Sequence, residues 1–215
     1  GSDESTRTLL QAHAARDSRI RLHILPFNIG LTKALNTGLP LARSGFVARQ
    51  DSDDISHPAR LEETWRFLKN NSEFAAVGTN VQLIGSDGRH LGAMVIDPNL
   101  QKMSKRNVLV HGSMMFRREV FDKTGGYNEI MRLSPDYEIY LRMTRLFGMR
   151  LSVVPIFLYS LRQHPDSLSS RRIFRQFYYS VMAKSLTENS VGRLRRGVRF
   201  YWKLLFDFLF IHRLF

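Results

Sequence analysis

The chain has 215 residues, of which 43% are hydrophobic and 24% charged, the composition of a folded globular domain with at most an appendage and not of a disordered polymer. It contains no cysteine, which excludes a disulfide scaffold, a thiol nucleophile and a thiolate metal centre. The formal net charge is +13, and ten Lys or Arg against two acids in residues 171–215 supply +8 of it, so the basic character belongs to a tail suited to an anionic partner.

The first residues are polar and acidic, unlike a secretory signal. Helical spacing predicts a helix over Ser5–Ala15, and apolar–polar alternation predicts a strand over Arg19–Leu25. Asn28-Ile29-Gly30 reads as a turn before a helix over Leu31–Ala42. Phe46-Val47-Ala48 is a short apolar strand that runs into Asp51-Ser52-Asp53-Asp54, and Pro58 then suits the first turn of a helix reaching Lys69. This alternation implies an α/β domain with a mainly parallel sheet and binding loops at the carboxyl ends of its strands. Farther on come a strand over Ala75–Ile84, a turn at Ser86-Asp87-Gly88, a return strand over Leu91–Val95, and a strand over Val108–Arg117. A helix over Asp136–Phe147, a strand over Leu151–Val154 and a helical remainder from about Arg172 complete the chain. A doubly wound domain should open on a strand, whereas this sequence opens on a polar loop and a helix, so a missing first segment is expected.

The acidic cluster carries the sharpest chemistry. Three carboxylates within four residues repel one another, and a hard dication such as Mg²⁺ or Mn²⁺ would offset that repulsion while bridging to substrate phosphates. A solvated acidic loop that caps the following helix is the alternative.

Here the residues match a known pattern. Asn28-x-Gly30-Leu31, Ala34-Leu35-Asn36-x-Gly38-Leu39, Phe46-Val47-Ala48-Arg49-x-Asp51-x-Asp53-Asp54 and Pro58-x-Arg60-Leu61 are followed by His111-Gly112-Ser113-x-Met115-Phe116-Arg117-Arg118, Gly125-Gly126-Tyr127, Asp136-Tyr137-Glu138-x₃-Arg142 and Leu158-Tyr159-x₂-Arg162-x-His164. The ordered set resembles the family 2 glycosyltransferases over residues 1–170. The resemblance implies the GT-A fold, a Rossmann-like mixed, mainly parallel sheet flanked by helices, with residues 171–215 as a basic amphipathic helical extension. It implies sugar transfer from a nucleotide-sugar donor, a UDP-sugar first among them, by a single inverting displacement that needs Mg²⁺ or Mn²⁺. Asp51 would lie near the ribose or the outer shell of the metal, and Asp53 and Asp54 would hold the metal. Asp136 would be the base that deprotonates the acceptor hydroxyl. The family usually shows Glu-Asp at that base, where this sequence has Pro135-Asp136.

Each of these residues also has a plainer role open to it. Ser134-Pro135-Asp136 is a good helix start, where an acid simply complements the dipole. Arg162 could reach the diphosphate and His164 the metal, or both could be incidental. Asn28 and Gly30 precede a helix whose N–H groups suit a nucleotide, and Gly30 also suits a bare turn. His111 reads as a core histidine satisfied by its neighbours. Aromatic and basic residues over 193–215 suggest peripheral contact with the inner, cytoplasmic face of a membrane, against packing on the body. The acceptor is then a cell-surface glycan or a lipid-linked sugar. A non-catalytic docking fragment is the alternative function, and no nucleic-acid-binding signature appears.

Overall fold

The computed structural model describes residues 2–163 and 173–188. Its sheet has six strands: β1 (Phe46–Ala48), β2 (Ile55–Ser56), β3 (Phe74–Ile84), β4 (His90–Met94), β5 (Met115–Arg117) and β6 (Arg150–Arg162). The order is β1-β5-β3-β6-β2, with β4 paired to β3 off that path. The helices are α1 (Glu4–Arg16), α2 (Leu31–Gly38), α3 (Arg60–Asn70), α4 (Glu119–Thr124), α5 (Pro135–Arg145) and α6 (Ile173–Leu186).

The sheet is mixed, as expected, but not mainly parallel. Among the described residues only β3 and β6 run parallel, whereas β1–β5, β3–β5, β3–β4 and β2–β6 are antiparallel. A parallel pair needs a long crossover, and the chain supplies one between β3 and β6 through β4, β5, α4 and α5; a tight turn at Gly85–Arg89 makes β3–β4 antiparallel. The strand expected over Arg19–Leu25 does not form. Its alternating Ile20, Leu22 and Ile24 are exposed, and no partner strand pairs with it among the described residues, so alternation alone does not hold an extended segment.

β3 is the spine. Alternation along it sends Ala76 to the larger core, with Phe116, Ile139, Met143 and Val153, and Val77 to a smaller one, with Leu68, Met115 and Val154. The larger core lies under α5, and the smaller is covered by α3, whose buried Arg60, Thr64 and Leu68 recur every four residues. α6 buries Ala183 in the larger core, with Tyr179 and Met182 packed against it, so this part of the expected helical extension is joined to the body.

Three elements differ from their expected bounds for local reasons. The strand expected over Val108–Arg117 is interrupted by a 3₁₀ turn at His111–Ser113, where Ser113 donates its hydroxyl to Val110 O at 2.8 Å. β6 runs well past the strand expected over Leu151–Val154, with its register jumping from Val154↔Thr79 to Phe157↔Asn80. Pro155, which has no N–H to donate, sits in that bulge. α3 starts two residues after Pro58, because the Arg60 N–H first closes a turn on His57 O at 2.9 Å.

His164 and the segment 193–215, expected to contact a membrane, lie outside the described residues. Among the described residues no helix is long and apolar enough to cross a membrane.

Candidate active site

β1 is continued by one more ladder bond, from Arg49 N to Met114 O at 2.9 Å, and the chain then turns through the acidic cluster. The turn is closed by its own backbone and by Gln50, whose side-chain amide donates to Asp51 O at 2.8 Å and Asp54 O at 3.1 Å. Arg49 forms a close ion pair with Asp51. Both Asp54 oxygens are taken up: Oδ2 accepts the Tyr159 hydroxyl at 2.7 Å, and Oδ1 accepts the Arg162 N–H at 2.8 Å. Asp53 is exposed. Burial, opposed by these two hydrogen bonds, raises the Asp54 pKa, and the charges of Asp53 and Asp51 raise it further.

The turn rests on a buried cation. Arg60, only 4% exposed, donates to Arg49 O at 2.9 Å, Gly112 O at 2.6 Å and Gln50 Oε1 at 3.3 Å. Its guanidinium also lies 5.3 Å from the centre of the Tyr159 ring. Tyr159 can come this close because residue 112 is glycine: a Cβ there would lie 1.9 Å from the phenol oxygen.

Asp136 enters from the other half of the domain. Ser134, at φ 53°, is one of two non-glycine residues in the left-handed region among the described residues, and it aims Pro135-Asp136 into the first turn of α5. Asp136 Oδ2 accepts from Asn107 Nδ2 at 2.6 Å. Burial raises the Asp136 pKa despite hydrogen bonds from the Tyr137 N–H, Asn107 and its own N–H, and the charge of Asp51 raises it further. The helix start alone would hold this carboxylate down, so its environment reverses that effect. Asp51 also acts on Tyr127 and Tyr140, so the acidic turn and Asp136 share one electrostatic neighbourhood.

Beneath them, the His111 ring places Nδ1 2.6 Å from the Tyr140 hydroxyl and Nε2 2.9 Å from that of Tyr127. Burial, and secondarily Arg49, push His111 down to about 3. It is therefore neutral, with one ring nitrogen donating and the other accepting. This agrees with the core reading of His111. Glu138, next to Asp136 in the motif, is spent on a buried ion pair with Arg142 at 2.9 Å, and Arg142 also donates to Gly126 O at 2.8 Å.

Of the other expected site residues, Arg162 acts here as a clamp. Its side chain donates to Asp53 O at 2.8 Å, Gly85 O at 2.9 Å and Ser86 O at 3.1 Å, tying the acidic turn to the β3–β4 turn. Asn28 accepts the Gly30 N–H at 2.9 Å, and Gly30 takes φ 83°. Both line an open cavity of about 420 Å³ with Phe27 and Leu31, a lining that includes none of Asp51, Asp53, Asp54 or Asp136. α2, which starts from Gly30, is held to the segment before Asp136 by Thr32 Oγ1 to Met131 O at 2.7 Å and Asn36 Nδ2 to Tyr127 O at 2.8 Å. Asn107, Arg60 and the two tyrosines were not anticipated as contributors. Arg60 and Tyr127 stand in the matched motifs without an assigned role, and Tyr140 lies four residues and so one helical turn after Asp136.

The acidic turn suits a dication that keeps much of its own shell. The charges of Asp53 and Asp51 raise the Asp54 pKa, and among the described residues no three carboxylate or imidazole side chains converge on one point. An ion there would take one or two protein oxygens and complete its coordination with water and phosphate, the habit of Mg²⁺ and Mn²⁺.

Comparison with known proteins agrees with this geometry. Residues 1–125 match the family model "Glycosyl transferase family 2". The chain is 32% identical over 185 residues to the "O-antigen biosynthesis glycosyltransferase WbnJ" of Escherichia coli, covering 83% of this chain and 70% of that one. It is 30% identical over 200 residues to the "Putative glycosyltransferase EpsE" of Bacillus subtilis, covering 90% and 69%. Among solved structures, the mannosyltransferase PcManGT of Pyrobaculum calidifontis, in complex with GDP-Man and Mn²⁺, superposes with a TM-score of 0.64 at 19% identity, covering 88% of this chain and 54% of that one. S. aureus TarS 1–349 in complex with UDP gives 0.61 at 15%, covering 86% and 53%. The chain thus spans about half the length of these solved chains, whose likeness establishes the GT-A fold.

Proposed function

The chain belongs to glycosyl transferase family 2, and from that premise we propose that it moves a sugar from a nucleoside-diphosphate donor to a hydroxyl of a glycan or lipid-linked acceptor, with inversion at the anomeric carbon. The observation that carries this reading is the carboxylate of Asp136, raised by burial in the electrostatic neighbourhood of the acidic turn. A base whose pKa is moved toward the working pH is better matched to accepting a proton from a hydroxyl.

In the reaction, the acceptor oxygen attacks the anomeric carbon while its proton passes to Asp136. The bond from that carbon to the β-phosphate oxygen breaks, and the nucleoside diphosphate leaves. Asn107 fixes the Asp136 carboxylate through the 2.6 Å bond at Oδ2. Asp53, with Asp51 or Asp54, would hold Mg²⁺ or Mn²⁺, whose charge stabilises the departing diphosphate. Tyr159 and Arg162 keep the turn in shape from β6. UDP is the first donor nucleotide to test and GDP the second; a UDP complex and a GDP-Man complex occur among the structural relatives.

Isothermal titration of UDP and GDP, with and without Mn²⁺, tests the site. Binding should require the ion, and in Asp53→Ala the ion should no longer strengthen it, while Asp136→Asn should bind the nucleotide normally and fail to transfer. Nucleotide binding indifferent both to the ion and to Asp53 would overturn the reading.

A further inference from the structure

The segment between β4 and β5 builds a second feature beside Asp136. A cavity of about 290 Å³ is lined there by Val95, Ile96, Lys102, Arg106, Asn107 and Val108, among others, and by none of Asp51, Asp53 or Asp54. That volume lies close to the lower end for small-ligand pockets, roughly 300 Å³. Its wall is partly apolar, and Val95 is left 77% exposed. Asp97 is the single acid in the lining, and its carboxylate already accepts the Asn99 N–H at 2.9 Å. Lys102 and Arg106 are exposed and form no ion pair among the described residues.

This segment is fixed to the helix that carries the base. Asn107 donates to Asp136, and the Tyr137 hydroxyl donates to Met103 O at 2.9 Å. Arg145 and Lys184 add bonds to Ser104 O and Lys105 O. Two cations are therefore presented from an anchored backbone, at a cavity whose wall includes the residue that touches the base.

We propose that this cavity is the acceptor site and that it takes a sugar bearing a negative group, a phosphate ester or a carboxylate. Lys102 and Arg106 meet the charge, the apolar wall meets the face of the ring, and the acceptor hydroxyl is delivered past Asn107 to Asp136. The proposal rests on the reading of Asp136 as the base. A pair of unneutralised cations on an anchored backbone selects for an anion, because a neutral sugar leaves both without a partner.

The test is calorimetric titration of glucose 1-phosphate, glucuronate and methyl glucoside into the full chain, with UDP and Mn²⁺ present and again without them. At least one anionic sugar should bind tenfold or more tightly than methyl glucoside, and whichever anion binds better identifies phosphate or carboxylate as the group recognised. Lys102→Gln/Arg106→Gln should weaken that anion about tenfold, the size of one charged hydrogen bond lost. Arg16→Gln/Arg43→Gln, an equal change in net charge elsewhere, should leave it unchanged. Equal binding of charged and neutral sugars, no effect of the first double variant, or an equal effect of the second would each overturn the proposal. Titrating UDP with Mn²⁺ into the same proteins separates the two failures: selective sugar binding without metal-dependent UDP binding removes the donor reading alone, and the reverse removes the acceptor site alone.

Discussion

Tyr159 donates its hydroxyl to the Asp54 carboxylate across 2.7 Å and accepts the Asp51 N–H at 3.3 Å. One phenol on β6 thus holds both ends of the acidic turn that follows β1, and the glycine at position 112 leaves the room for it. Burial and Asp54 raise the Tyr159 pKa, so it remains a donor throughout the working range.

Removing that hydroxyl should loosen the turn without unfolding the domain. Tyr159→Phe leaves Asp54 short of one partner, a loss of about 1.5 kcal/mol for a hydrogen bond to a charged group, so metal-dependent UDP affinity should fall roughly tenfold. Gly112→Ala should be worse, because its Cβ would meet the phenol oxygen at 1.9 Å. In the Tyr159→Phe background the nearest remaining contact is the ring carbon at 2.5 Å, so the alanine should cost less there than in the wild type. The two changes are then non-additive in a thermal or denaturant melt.

Asp136 should trade stability for activity. Its folded pKa is raised, chiefly by burial, so its protonated form favours folding and that contribution is lost as pH rises from the ordinary carboxylate value through the raised one. Asp136→Asn should therefore melt higher than the wild type at neutral pH, with the gain shrinking to nothing as the pH falls below about 4, while transfer is abolished. Asn107→Ala removes a hydrogen bond that lowers this pKa, and the acid limb of the kcat–pH profile should move upward. An unmoved limb would show that Asn107 does not tune the base.

Arg60 should be the costliest of these positions for folding. Its guanidinium satisfies three acceptors on two separate segments, and Arg60→Met would strand them in the interior at a cost on the order of 3 kcal/mol. Arg60→Lys keeps the charge but not the planar fork and should fall between the two. Urea midpoints at constant slope would rank the three proteins.

The parts of this site that could be read from sequence are those encoded by neighbours in the chain. Phe46-Val47-Ala48 and the carboxylates that follow it form a local pattern, and the strand occupies those three residues. The start of α5 at Pro135 was equally visible. Asn107 was not, because nothing about an asparagine in a polar stretch reveals a partner 29 residues away. Arg60 matched a family motif, yet its work depends on carbonyls at residues 49 and 112 that only the fold brings together. Arg19–Leu25 failed in the opposite way: its alternation is local and genuine, but a strand requires a neighbour, and none pairs with it among the described residues.

His111 gives the sharpest pH signature. Burial lowers its folded pKa to about 3, whereas an unfolded histidine titrates near 6.5. Below pH 6.5 the unfolded chain binds a proton that the native ring does not, so the native state loses stability progressively as the pH falls from about 6.5 toward 3. His111→Gln keeps one hydrogen-bonding partner for the tyrosines and has nothing to titrate. It should be less stable than the wild type at pH 7, because one of the Tyr127 and Tyr140 hydroxyls is left unsatisfied. The wild type should then lose stability with acid more steeply than the variant, by a difference in slope approaching about 1.4 kcal/mol per pH unit. Denaturant melts at several pH values between 4 and 7 measure both slopes, and parallel lines would mean that the imidazole is charged in the native fold.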